Sequence, residues 1–148
     1  MDGVVENKKM KQYNISVTSH IEQFHDEVID KIEVIDNKLV LYIDDLHFDY
    51  GNKFTKCRII FTQFEDIFSD ISFIFFKIHK NKIKSGKKLY LDEFFNYTKN
   101  KKISIEISDI YEGFEKILIV GKITNGKIIH GNFVQLHIDT KSIIYEFY

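Results

Sequence analysis

Phe24-His25-Asp26 is the first stretch whose residue types could do chemistry. Metal phosphohydrolases use such a His-Asp pair. His20, His47, Asp44 and Asp45 could join it as nitrogen and oxygen ligands if the N-terminal arm folds over the strands that follow. Those enzymes draw further ligands from neighbouring helices, a context this chain lacks, and no spacing here is diagnostic of a metal. The plainer reading makes His25 and Asp26 the lead into the first strand, with Asp26 as a cap or turn residue.

A second constellation is acidic: Asp30, Glu33, Asp44 and Asp45. Paired carboxylates act as acid and base where burial separates their pKa values. No substrate-binding companion stands near them in sequence, so they read as rim residues offered to solvent or a partner. The third is basic. Lys80, Lys82, Lys84, Lys87 and Lys88, joined by Lys99, Lys101 and Lys102 with Tyr90 and Tyr97, have the makings of a phosphate-tracking surface. Arg58 is the only arginine and the net charge is −1, so nucleic acid is disfavoured as a partner and a solvated loop tip is the simpler account. Lys82, Lys84 and Lys87 are its anion-contact candidates. Cys57 sits in an apolar strand, where a thiol is an inert core residue. Glycine is scarce and never clustered, which argues against a phosphate-cradling loop. No cofactor and no metal are expected, and catalysis is disfavoured.

The elements that must position these residues are strands. The chain has no Pro, Ala or Trp, whereas Ile, Phe and Tyr are abundant, a bias toward sheet that an AT-rich coding sequence also favours. Val28–Phe48 reads as a hairpin reversing at Asp36-Asn37-Lys38. Ile32 and Val34 fall on one face, with Asp30 toward the rim, and Leu39, Leu41 and Ile43 share a face of the return strand. Further strands are expected at Lys56–Phe64 and Ile71–Ile78, and another runs through Ile103, Ile105 and Ile107. Lys116–Thr124 and Lys127–Ile138 flank an Asn125-Gly126 type I′ turn, and Ile143–Phe147 closes the set. Gly131 marks a bulge. His79–Lys88 reads as a loop or solvated hairpin tip, and Glu65–Asp70 as a compact connection. Leu91, Phe94, Phe95 and Thr98 recur at helical spacing, which predicts one short helix over 91–99 capped by Asp92. Residues 1–12 look frayed, Tyr13–Thr18 is a short edge strand or an arm, and 19–24 makes at most one helical turn. The fold class is therefore mainly β. A curved antiparallel sheet or two-layer sandwich of about seven or eight strands forms a single domain over residues 1–148.

The run Phe24–Asp44 resembles the opening of small bacterial proteins with a Phe-His-Asp-Ser-x-Ile pattern before a β-hairpin, some of them immunity-protein-like. The matching residues are Phe24, His25, Asp26 and Ile29, and Glu27 stands where those proteins carry Ser. The resemblance implies a non-catalytic binding protein and transfers no catalytic residues.

Charge agrees with that direction. Between Glu22 and Asp49 nine carboxylates face only Lys31 and Lys38, whereas lysines dominate from Lys77 to Lys102. Segregated charge steers an oppositely charged partner. No apolar run follows the N-terminal lysines, no segment is long enough to span a membrane, and a lone cysteine forms no disulfide framework. The expectation is a cytoplasmic protein that binds a basic protein partner, such as a toxin or nuclease domain, through Asp30, Glu33, Asp44 and Asp45. Self-association through an exposed edge stays open. The alternatives are a metal- or ligand-dependent enzyme built on His25 and Asp26, and nucleic-acid binding through residues 80–102.

Overall fold

The computed structural model describes residues 9–14, 20–47, 54–125 and 131–148. Among them the strands are β1 (Lys9–Asn14), β2 (Val28–Ile29), β3 (Lys31–Ile35), β4 (Lys38–Ile43), β5 (Cys57–Thr62), β6 (Ile71–His79), β7 (Lys82–Tyr90), β8 (Ser104–Gly113), β9 (Lys116–Asn125), β10 (Phe133–Asp139) and β11 (Ser142–Phe147). A 3-10 turn (Ile21–Phe24) precedes β2, while α1 (Ile67–Asp70) and α2 (Leu91–Thr98) flank β6 and β7. All strand pairs are antiparallel. One sheet runs β1-β11-β5-β4-β3 and the other β2-β8-β9-β10-β6-β7.

The period-two pattern sets the layers. Leu39, Leu41 and Ile43 of β4 lie opposite Phe61, Ile59 and Cys57 of β5, and all six are buried. Ile105 and Ile107, Ile117 and Ile119, and Val134, Leu136 and Ile138 supply the facing layer, and one core joins both sheets. The expected mainly β architecture is present, with eleven strands among the described residues rather than seven or eight. Three stretches account for the difference. The first strand of the predicted hairpin breaks at Asp30, leaving β2 in one sheet and β3 in the other. The lysine-rich loop is β7, and residues 9–14, read as mostly frayed, pair with β11 as the edge strand β1. Residues 15–18 of the expected first strand lie outside the described residues.

Turn chemistry explains two reversals. Asp36 and Asn37 (φ 50° and 59°) link β3 to β4, while Lys80 and Asn81 (51° and 61°) link β6 to β7. Paired left-handed residues match the strand twist, and Asp and Asn adopt them at little penalty. The Asn125-Gly126 expectation is corrected by register. Lys122 lies opposite Phe133, and the Ile123 amide donates to the Asn132 carbonyl at 2.7 Å. A two-residue turn at 125–126 would set Ile123 opposite residue 128, so the connection is longer; its residues 126–130 lie outside the described set. Gly131 marks a close approach rather than a bulge. Its φ is 123°, and a Cβ there would collide with the Phe76 carbonyl.

The predicted helix is α2, but the residue before it is Tyr90, not Asp92; the Tyr90 amide donates to the Glu93 carboxylate at 3.1 Å. Eight residues are too few for a helix to persist alone. Phe94 holds it, its ring stacked 3.8 Å from Phe73. The expected connection at 65–70 contains the one-turn α1, capped by the Asp66 carboxylate on the Phe68 amide.

Candidate functional site

The switch at Asp30 creates the most site-like feature. Its amide donates to the Tyr42 carbonyl at 2.8 Å, and its carboxylate accepts the Asp44 amide at 2.9 Å. The chain leaves one sheet for the other here, and Asp30 ties the crossing to the end of β4. Beside the crossing lies a cleft of about 640 Å³. Its floor is apolar: Ile29, Ile32, Phe94, Phe95, Ile103 and Ile105. One rim carries Asp30 and Asp44, and the rest of the rim carries Lys31, Lys99, Lys101 and Lys102. Lys31 is engaged with Glu33 at 2.7 Å, and Lys101 lies 4.3 Å over the Tyr97 ring. Concave, apolar and fringed by polar groups of both signs, the cleft has the character of a binding site.

The outer face of the five-stranded sheet holds a second cluster. The Tyr42 hydroxyl donates to Glu33 at 3.0 Å, and the Tyr148 hydroxyl to Glu146 at 3.0 Å. The Lys31 hydrogen bond draws the Glu33 carboxyl below its usual range, outweighing partial burial, and the same pairing raises Lys31. Desolvation, then the bond to Glu33, raises the Tyr42 phenol. Arg58 of β5 lies between the two tyrosines, its guanidinium carbon 5.2 Å from the Tyr42 ring centre and 5.0 Å from that of Tyr148.

The four acidic candidates thus separate. Asp30 and Asp44 share the cleft rim, Glu33 belongs to the outer-face cluster, and Asp45 stands 3.5 Å from Nε2 of His47. His47 also reaches Glu27, which sequence reasoning passed over as a mismatch to Ser. Glu27 is 2% exposed and accepts the His47 amide at 2.8 Å, with Nδ1 3.2 Å away. The imidazole meets the two carboxylates through opposite nitrogens, so this trio does not converge on one ion.

His25 and Asp26 are exposed and 3.0 Å apart. Asp26 is a turn residue (φ 67°) whose amide donates to the Ile107 carbonyl at 2.7 Å, while Phe24 packs on Tyr145 in the core at 5.3 Å. No group of three His, Cys, Asp or Glu side chains placed to hold a metal ion occurs among the described residues, so the expected meeting of His20, His25, His47 and the aspartates does not take place there.

Lys82, Lys84 and Lys87 lie on β7, opposite His79, Lys77 and Phe75, and are exposed; they do not line the cleft. Its basic rim comes instead from Lys31 and the segment after α2. Cys57 is buried, and burial pushes its thiol pKa far up, in keeping with a core residue.

No helix among the described residues is long and apolar enough to cross a membrane. In comparisons with known proteins, the chain matches no family model, no curated protein and no solved structure.

Proposed function

We propose that this chain is a non-catalytic protein-binding module. Asp30 and Asp44, with Asp45 nearby, meet a basic segment of a protein partner, and the cleft floor receives an apolar side chain of that segment. The observation that carries the reading is the juxtaposition of an apolar floor with a rim that carries Asp30 and Asp44 on one side and lysines on the other, its acidic side fixed by the hydrogen bond from the Asp44 amide to the Asp30 carboxylate. A contact held on packed strands needs little reordering when a partner arrives, which favours binding. Opposite charge at the Asp30–Asp44 side of the rim steers a basic segment to that side, away from the lysines. The Phe24–Asp44 resemblance to immunity-like bacterial proteins points the same way, and a cytoplasmic toxin or nuclease domain is the partner class it suggests.

The test is affinity capture from nuclease-treated lysate of the native host, repeated with Asp44→Asn/Asp45→Asn and with Phe95→Glu. One protein recovered in stoichiometric amount by the wild type and lost by both variants is the expected result. Equal recovery by all three would remove the cleft from the account.

A further inference from the structure

We propose that Arg58 is a preorganised docking anchor for a carboxylate side chain of a protein partner, on the outer face of the five-stranded sheet. This extends the protein-binding reading to a second contact of opposite charge and does not depend on the cleft.

Arg58 is exposed on β5, which lies between β4 and β11. The flanking strands bring Tyr42 from one side and Tyr148 from the other, at 5.2 and 5.0 Å from the guanidinium carbon. The rings are themselves restrained, because each hydroxyl donates to a carboxylate at 3.0 Å. The Arg58 charge helps to lower the Glu33 pKa, but Glu33 is not within ion-pair distance of it. Glu33 is paired with Lys31 at 2.7 Å, and Glu146, directly across from Arg58, accepts from Tyr148. Among the described residues Arg58 makes no ion pair.

Its planar fork of donors is therefore held by ring contacts while its N–H edges keep their bonding capacity. A planar carboxylate accepts two of those bonds at once, a geometry lysine does not reproduce. Half-buried Ile60 and Ile144 share this outer face and give the anchor an apolar surround. An arginine flanked by tyrosines and apolar groups is the composition that dominates binding energy at protein interfaces. Duplex nucleic acid is a poorer fit, because tracking phosphates needs a basic stripe, whereas Arg58 is joined here by Lys31, which is already paired with Glu33.

As the only arginine, Arg58 gives a single side-chain Nε resonance in the full-length ¹⁵N-labelled protein. The probe is an acetylated penta-glutamate peptide, with penta-glutamine, inorganic phosphate and a short DNA duplex as comparisons. The expected result is a saturable shift of the Nε signal with penta-glutamate and none with penta-glutamine. Affinity should fall at least tenfold in Arg58→Lys, which keeps the charge, and severalfold in Tyr148→Ala, which loosens the clamp. Undiminished peptide binding by Arg58→Lys overturns the proposal, as does tighter binding of phosphate or duplex than of peptide. A captured partner that depends on Asp44 and Asp45 but ignores Arg58→Lys would leave the cleft reading standing and remove this one.

Discussion

Phe94 links the fold to the cleft, so truncating it is the most informative perturbation of the architecture. Its side chain is 4% exposed, stacks on Phe73 at 3.8 Å, meets Phe95 edge-on at 5.7 Å and forms part of the cleft floor. A buried Phe→Ala change costs about 3–5 kcal/mol, combining lost transfer energy with the cavity left behind. The lower half of that range applies to Phe94→Ala, because α2 is one short element at the sheet margin and can settle into part of the void; about 3 kcal/mol is expected. For a chain of this size that lowers Tm by roughly 10 °C. Half-buried Phe95 should lose about half as much on truncation to Ala. Urea unfolding followed by far-ultraviolet circular dichroism measures both, with tyrosine fluorescence as a second probe since Trp is absent. A loss below about 1 kcal/mol for Phe94→Ala, with unchanged m-value, would refute the packing of α2 on β6 and with it this wall of the cleft.

Three other outcomes follow from particular groups. Asp30→Ala leaves the Asp44 amide without its acceptor and should lower stability by about 1–2 kcal/mol, whereas Asp30→Asn keeps an acceptor oxygen and should lose about half that in the same unfolding assay. Burial, then Lys88, lowers the His137 pKa from its ordinary 6.5. The unfolded chain therefore binds the proton first as pH falls. Stability should decline as pH drops below about 6.5 and level off beneath the folded-state value, and His137→Gln should flatten that part of the profile. Cys57 should resist thiol reagents at neutral pH until the protein unfolds, so labelling in urea should track the unfolding curve; fast labelling of native protein would contradict its burial.

Much of the core was legible because alternation carries information where one face is buried. Leu39, Leu41 and Ile43, or Ile105 and Ile107, could be placed inward from spacing alone. The strand β7 was not legible for the complementary reason. Lys82 to Lys84 lie beyond the core with every side chain exposed, so no apolar period marks them as a strand. Asp30 misled because the apolar phase shifts by one between Ile29 and Ile32, a break at Asp30-Lys31 that a single-strand reading spans, while the step from one sheet to the other is fixed by tertiary pairing. The cleft had no local signal, since Asp30 and Lys99 come together only through strand order. Arg58 was visible as the lone arginine, but its tyrosine neighbours are fixed by pairing of β4, β5 and β11.

The central claim is that Asp30 and Asp44 on the cleft rim, with Asp45 beside them, recruit a basic segment of a protein. The most direct measurement is the association rate of the captured partner with wild type and with Asp44→Asn/Asp45→Asn, at low and moderate salt. Wild type should associate several-fold faster than the variant at low salt, with the gap closing as salt screens the charges. Equal rates and equal salt dependence would contradict the claim.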